Sequence, residues 1–121
     1  MERQLPEYNQ VRVSGWLSNL RQRWTPDGSL AVVAELSVAR PQLGPARASV
    51  EERQPLPIRA SGMVAEQLSR AEQQYVVITG MLRRRFYRRN EEPQWGQVEI
   101  WARTCETKPA QPNEHEEMKH E

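Results

Sequence analysis

The sequence has very few of the residues that build disulfide frameworks or metal centres. It contains one cysteine, Cys105, and two histidines, His115 and His120, close to the C-terminus. One cysteine cannot form an internal disulfide bond, and the three residues lack the paired spacing of a zinc site. We therefore expect no metal ion or other cofactor.

Long hydrophobic runs are also absent. The longest apolar run, Leu30 to Ala34, has five residues, whereas a membrane-spanning helix needs about 20. The opening residues Glu2, Arg3 and Gln4 do not have the pattern of a secretory signal. With 121 residues, of which 37% are hydrophobic, we expect one domain with a modest core, no membrane partner and a cytoplasmic location.

Residues suited to catalysis are scarce and poorly placed. General acid–base or nucleophilic catalysis needs a positioned histidine, cysteine or carboxylate pair. Both histidines lie near the C-terminus, and the adjacent pairs Glu51-Glu52 and Glu91-Glu92 stand in charged loop sequence, where carboxylates are normally solvated. We expect that the protein is not an enzyme.

Lysine is missing from the first 105 residues, where all 15 basic residues are arginine and 11 residues are acidic. Arginine forms bidentate hydrogen bonds with phosphate and stacks on bases, so this composition suits a nucleic-acid partner. A general compositional bias would scatter arginines in the same way. The last 16 residues hold five Glu and two Lys without apolar periodicity. We predict a folded domain over residues 1–105 and a disordered acidic tail over 106–121.

Alternating apolar and polar residues predict a protein built from short strands. Three prolines between positions 41 and 55 predict a long loop, and Thr25-Pro26-Asp27-Gly28 predicts a turn. The predicted elements are strands over 11–18, 30–40 and 56–61, a short helix over 62–70, and strands over 75–84 and 96–104, the last two joined by a loop. This order predicts an all-β fold, the five-stranded Greek-key barrel called the OB-fold, with its helix between strands 3 and 4.

Three tryptophans fall on strand faces that the alternation predicts to be exposed. The residues expected inside are Val11, Val13 and Leu17 on the first strand, with Val98, Ile100 and Ala102 on the last. The residues expected outside are Trp16 on the first strand and Trp95, Glu99, Trp101 and Arg103 on the last. Exposed tryptophans indicate either a stacking platform for bases or an interface with another subunit, and the pattern leaves both open. Trp24, beside the turn, either caps the barrel or lines a groove.

The segment from Leu82 to Arg89 contains five arginines that flank Phe86 and Tyr87. Such a hairpin can hold phosphates while bases stack, which is the logic of sequence-tolerant single-strand binding. The alternative is a solvated hairpin whose charges prevent edge-to-edge aggregation. The candidate nucleic-acid-binding residues are Trp16, Arg59, Arg83, Arg85, Tyr87, Arg88, Arg89, Trp95 and Trp101.

Several blocks between Asn9 and Glu106 resemble the bacterial single-stranded DNA-binding proteins. They are Asn9-x-Val11 with Gly15-x-Leu17, the turn Arg23 to Gly28, Leu36 to Arg40, Gly62 to Leu68, and Val77 to Arg85. The resemblance implies an OB-fold that binds single-stranded DNA as a homodimer or homotetramer, in replication, replication restart, recombination or repair. It also places Tyr87 at a base-stacking position.

The sequence departs from that family in the middle strands and at its C-terminus. Ser61 stands where the family often has an aromatic residue, and Leu56 to Arg59 replace a tryptophan-bearing stretch, so we expect weak stacking there. The ending Glu117 to Glu121 lacks the acidic Pro-Phe tip by which the family recruits replication and repair proteins, so we expect no recruitment by that route.

Without this tip, the sequence resembles the primosomal replication protein N branch of the family, or an accessory binder encoded by a plasmid or phage. The competing interpretation is a protein-interaction OB module, such as a primosome or replisome adaptor, whose exposed aromatics contact replication or restart proteins. For either, the expected location is the cytoplasm, at the nucleoid.

Overall fold

Five strands and one helix make up the part of the chain that the structure describes. In the computed structural model, which describes residues 5–45 and 52–108, the strands form a closed barrel in the order β1-β2-β3-β5-β4. Neighbouring strands are antiparallel except β3 and β5, which are parallel. This architecture confirms the predicted OB-fold. The elements are β1 (Val11–Trp24), β2 (Leu30–Ala39), β3 (Arg53–Ser61), α1 (Gly62–Arg70), β4 (Tyr75–Arg89) and β5 (Glu92–Thr107).

The core follows from the alternation of side chains along the strands. Leu17, Leu36, Ile58 and Ile78 are fully buried inside the barrel, where removal of their apolar surface from water stabilises the fold. Helix α1 packs on β2, β3 and β5 and buries Ala65 and Leu68, while Met63 is exposed. The predicted inward residues Val11 and Val13 pack partly buried against this core.

Two glycines permit the barrel strands to approach one another closely. A Cβ atom at Gly15 would lie 2.1 Å from the carbonyl oxygen of Ser37, and one at Gly80 would lie 1.9 Å from that of Trp101. Backbone atoms cannot yield as a flexible side-chain tip can, so any larger residue at either position forces strands apart. The closed barrel therefore requires glycine at both positions.

Strand β3 begins earlier than its prolines suggest. It starts at Arg53, so the loop predicted over 41–55 is shorter than expected, and its residues 46–51 lie outside the described residues. Pro55 and Pro57 both pair with β2 in register. Because proline has no N–H to donate, both must stand at positions whose N–H direction points away from β2. Proline spacing of two residues is compatible with a strand for this reason.

Strands β4 and β5 are much longer than predicted and form a two-stranded arm, residues 82–98. The expected loop between Arg84 and Gly96 is instead a continuation of both strands, joined by a tight turn at Asn90 and Glu91. Both turn residues have left-handed backbone conformations, with φ of 53° and 65°, as in a two-residue hairpin turn. Such turns usually contain glycine, and without one the sequence predicts a longer loop between the two strands of this hairpin.

Two predictions about the side chains of β5 are wrong. Val98, expected inside, is 49% exposed, because it pairs with Arg84 in the arm, beyond the strands that cover the core. Glu99 lies on the outer face with Trp101, as expected, but it is only 7% exposed. Ile100 is buried as predicted, and Ala102 is half-buried against the core.

Strand β5 passes the predicted domain boundary at residue 105. Glu106 and Thr107 still pair with β4, so the folded domain extends at least two residues further. Most of the predicted tail, residues 109–121, lies outside the described residues. Within the described ranges, no helix is long and apolar enough to cross a membrane.

Candidate nucleic-acid interface

A groove of about 320 Å³ lies where the β1–β2 turn, the end of β3 and the base of the arm meet. We call it the arm groove. It brings together residues that are far apart in the sequence, and its three arginines and Trp101 all belong to the predicted site. Its lining includes Asp27, Arg59, Arg83, Arg85, Phe86 and Trp101.

The β1–β2 turn forms one wall of the arm groove and is held by a dense set of hydrogen bonds. Gly28 N–H donates to the Thr25 carbonyl at 2.9 Å, and Gly28 has the positive φ of 87° that favours glycine. The Asp27 carboxylate accepts hydrogen bonds from the Thr25 hydroxyl and from the Ser29 hydroxyl and N–H. These bonds, Thr25 first, lower the pKa of Asp27 from 3.8 to about 2. The wall therefore carries a fixed negative charge.

Arg59 lines the arm groove, but its charge is balanced by Glu99. Its Nε lies 2.9 Å from Glu99 Oε1 and its Nη2 lies 3.1 Å from Glu99 Oε2. A buried carboxylate needs such a partner, because removal from water is costly unless the charge is paired. This pair explains why Glu99 is buried although it lies on the same face of β5 as Trp101. It also gives the predicted phosphate contact Arg59 a structural role that the sequence did not suggest.

Trp101 lines the arm groove and is half-buried. It is therefore less exposed than the alternation predicted. The guanidinium carbon of Arg83 lies 4.8 Å from the centre of its ring, a cation–π contact. The indole N–H is buried and has no acceptor among the described residues. A base can stack on the covered face only if the Arg83 side chain moves aside.

Phe86 is an aromatic residue of the arm groove that is not among the predicted site residues. It lines the arm groove, is exposed, and contacts Trp95 edge to face with ring centres 4.9 Å apart. The Arg84 guanidinium lies 5.6 Å from the Trp95 ring and donates from Nε to the Gly96 carbonyl at 2.7 Å. The two-residue turn would have revealed this cluster, because it sets Phe86 opposite Trp95 in register.

Tyr87 points away from the face that carries Phe86 and Trp95. It pairs with Gln94, one position further along the arm than the Phe86–Trp95 pair, and successive residues of a strand alternate between faces. Tyr87 is not among the residues that line the arm groove. Arg85 stands at a strand irregularity, lines the groove, and lies 5.9 Å from the Tyr87 ring. The arm thus presents aromatic and cationic groups on both faces.

The arm arginines carry charge that is free of acidic partners. Within residues 5–45 and 52–108, the ion pairs are Arg59 with Glu99 and Arg70 with Glu66. Arg88 and Arg89 lie exposed next to the turn, and Arg88 donates to the Glu91 carbonyl at 3.3 Å. The five arginines without a paired carboxylate make the arm a strongly positive element. They are Arg83, Arg84, Arg85, Arg88 and Arg89.

Three tryptophans do not line the arm groove. Trp95 touches it only through its contact with Phe86, and Trp16 and Trp24 lie away from it. Trp16 is 37% exposed and contacts Tyr75 edge to face, with ring centres 5.4 Å apart, and its indole N–H donates to Gln73 Oε1 at 3.3 Å. The structure therefore does not bring it together with the other predicted site residues. Trp24, expected to cap the barrel or to line a groove, is 69% exposed at the end of β1 and does not line the arm groove. The described part of the chain also contains no group of three or more His, Cys, Asp or Glu able to hold a metal ion.

The fold is similar to that of a solved single-stranded DNA-binding protein from Thermus aquaticus. The two superpose with a TM-score of 0.63 at 22% identity, and the match covers 87% of this chain and 42% of that chain. This chain thus spans less than half the length of its structural neighbour. No protein-family model matches the sequence, and no curated protein matches it either. At this identity the likeness establishes the fold alone.

Proposed function

We propose that the protein binds single-stranded nucleic acid, primarily DNA, with little sequence preference. The observation that carries this proposal is the arm groove, in which Arg83 and Arg85 flank Phe86 and Trp101. Sequence-tolerant recognition combines cations that contact phosphates with aromatic rings that stack on bases. Stacking tolerates any sequence because every base has a π-face. OB-folds commonly use this region between their loops for oligonucleotides.

We assign a different role in binding to each part of the arm groove. The arm arginines contact phosphates, and Arg83 swings from the ring of Trp101 to a phosphate as a base takes its place. Phe86, already held by Trp95, offers a second ring at little entropic cost. The fixed charge of Asp27 repels phosphates, so it favours an orientation in which bases face the turn and the backbone follows the arm.

The wider role follows from this activity as part of the same proposal. The structural neighbour is, by its title, a single-stranded DNA-binding protein. We infer that this chain acts in the cytoplasm at the nucleoid, in replication, replication restart, recombination or repair. Membership of that family, including the primosomal replication protein N branch, assembly as a homodimer or homotetramer, and contacts with replication or restart proteins belong to the proposal. So does the absence of enzymatic activity.

The test is a titration with oligo-dT and with duplex DNA over a range of salt concentrations. Single strands should bind more tightly than duplex, and the logarithm of affinity should fall with the logarithm of salt by about 0.7 per phosphate contact. Replacing Arg83, Arg85, Arg88 and Arg89 by Gln should flatten that dependence. Affinity for oligo-dT that does not change with salt would refute the proposal.

A second candidate function is a protein-interaction module, and the pair Trp16 and Tyr75 favours it. Both rings are exposed, and neither lines the arm groove. Exposed aromatic pairs are common at protein interfaces. Tryptophan fluorescence separates the two functions, since a stacking protein should be quenched by oligo-dT and a pure adaptor should not change.

A further inference from the structure

A second concave surface lies on the outside of β1, β4 and β5. It has a volume of about 690 Å³ and shares no lining residue with the arm groove. We call it the outer groove. Nothing in the proposed function uses it. Its main lining residues are Arg12, Thr79, Gly80, Arg103 and Thr104.

The strand register brings these side chains to one place. Arg12 pairs with Thr79 across β1 and β4, and Thr79 pairs with Thr104 across β4 and β5. The next pair is Gly80 with Ala102, so Arg103 is an extra residue on β5. Bulges of this kind turn a side chain out of its regular alternation. Arg103 therefore joins the same groove as the row of three.

The lining of the outer groove is rich in hydrogen-bond donors. Arg12 and Arg103 form no ion pair with a carboxylate within the described ranges. The hydroxyls of Thr79 and Thr104 hydrogen-bond to each other, and because the pair has two hydrogens, one remains free to donate. Two guanidinium groups with a free hydroxyl hydrogen match an anion with several acceptor oxygens, of which phosphate is the common biological case.

The shape and charge around the outer groove leave it open to such an anion. Gly80 lines the groove and adds no side chain to it. Glu106, on the next cross-strand row opposite Val77, makes no ion pair with either arginine and does not line the groove. The two guanidinium groups therefore face the open volume without a carboxylate partner within the described ranges.

We propose that the outer groove is a second phosphate-binding site, which holds the backbone of a single strand after the strand leaves the arm groove. This inference rests on the proposed function. Thr79 precedes Arg83 by four residues on β4, so the two grooves are roughly 13 Å apart along that strand. A single strand of moderate length can therefore reach both, and a short one cannot.

The experiment compares two double variants on two lengths of oligo-dT, about six and about 30 nucleotides, since OB-folds occupy about 4–16 nucleotides each. The test variant is Arg12→Gln with Arg103→Gln. The matched control is Arg21→Gln with Arg70→Gln, which removes the same charge from exposed positions outside both grooves. Affinity is measured at several salt concentrations.

The test variant should bind the long oligonucleotide roughly tenfold more weakly at low salt, and its salt slope should fall by about 1.4, which is about 0.7 for each of two phosphates. Its affinity for the short oligonucleotide should match that of the control. Equal binding of the long oligonucleotide by both variants would overturn the second site and leave the proposed function intact. A wild-type protein that binds neither length would overturn both.

Inorganic phosphate and thymidine monophosphate distinguish a free ligand from a polymer. In a backbone site, both should perturb the amide resonances of Thr79 and Thr104 only weakly, at high concentration, while the long oligonucleotide perturbs them at stoichiometric amounts. Saturation by the mononucleotide at low concentration, without dependence on strand length, would overturn the assignment to a polymer backbone.

Discussion

The two halves of the β4–β5 hairpin follow different rules. In the barrel half, from Tyr75 to Met81, buried and more exposed residues alternate, whereas in the arm half, from Leu82 to Arg89, every residue is exposed. Packing therefore determines the side chains of the first half and cannot determine those of the second. The arm is held by its hydrogen-bond ladder and by cross-strand contacts such as Phe86 with Trp95. Its arginines and aromatics are free to serve binding.

The glycines of this hairpin give the largest expected difference between barrel and arm. We expect Gly80→Ala to destabilise the protein by about 3–5 kcal/mol, since its Cβ would collide with the Trp101 carbonyl. We expect Gly96→Ala to cost less than about 1 kcal/mol, because its Cβ would meet Arg85 at an ordinary 3.4 Å. Urea unfolding of both variants measures the difference. Equal losses of stability would show that the arm is as tightly constrained as the barrel.

The buried ion pair at the base of the arm gives the next largest effect. Glu99→Ala leaves Arg59 without its partner, and we expect a loss of about 3 kcal/mol in unfolding free energy. Glu66→Ala is the control, because its contact with Arg70 is exposed and 3.5 Å long, so its removal should cost about 0.5 kcal/mol or less. If Glu99→Ala were as stable as the control, the pair would not support the groove, and Arg59 would be available to phosphate as first predicted.

Phe86 and Tyr87 are neighbours on opposite faces of the arm, so Ala variants of the two test which face stacks on bases. Phe86→Ala should weaken binding to oligo-dT by about 1–3 kcal/mol, because one stacking ring is lost, while the salt slope hardly changes. Tyr87→Ala should have a smaller effect and Tyr87→Phe almost none, since Tyr87 lies outside the arm groove. The reverse order of the two Ala variants would return the stacking role to Tyr87.

The smallest expected effect concerns the pH dependence of the turn beside the arm. Asp27 has a folded-state pKa of about 2, below its ordinary value of 3.8. Its hydrogen bonds therefore stabilise the fold above the ordinary value, and this contribution is lost as the pH falls through the folded-state value. The melting temperature of wild type minus that of Asp27→Asn should be constant near neutral pH and shrink below the ordinary value. A difference that stays constant into acid would show that the carboxylate contributes nothing as an ion.

The barrel was predictable from the sequence because burial leaves a periodic signal. Leu17 and Ile100 lie inside, as their alternation indicated, and helix α1 occupies its predicted residues. The arm was not, since its exposed strands show no alternation and its turn, Asn90-Glu91, contains no glycine. Phe86 was not among the predicted site residues for the same reason. Arg59 was chosen for its charge, but its pairing with Glu99 depends on the parallel contact between β3 and β5, which local sequence patterns do not indicate.

The most direct test of the division between arm and barrel uses single-tryptophan proteins. One variant keeps Trp95 in the arm and the other keeps Trp16 on the barrel, with Phe at the remaining three tryptophan positions in each. Both are titrated with oligo-dT at low salt, and tryptophan emission is recorded. Binding through the arm groove predicts saturable quenching of Trp95, which contacts the groove residue Phe86, and unchanged emission from Trp16. Quenching of Trp16 with no change at Trp95 would contradict it and place the nucleic acid on the barrel surface.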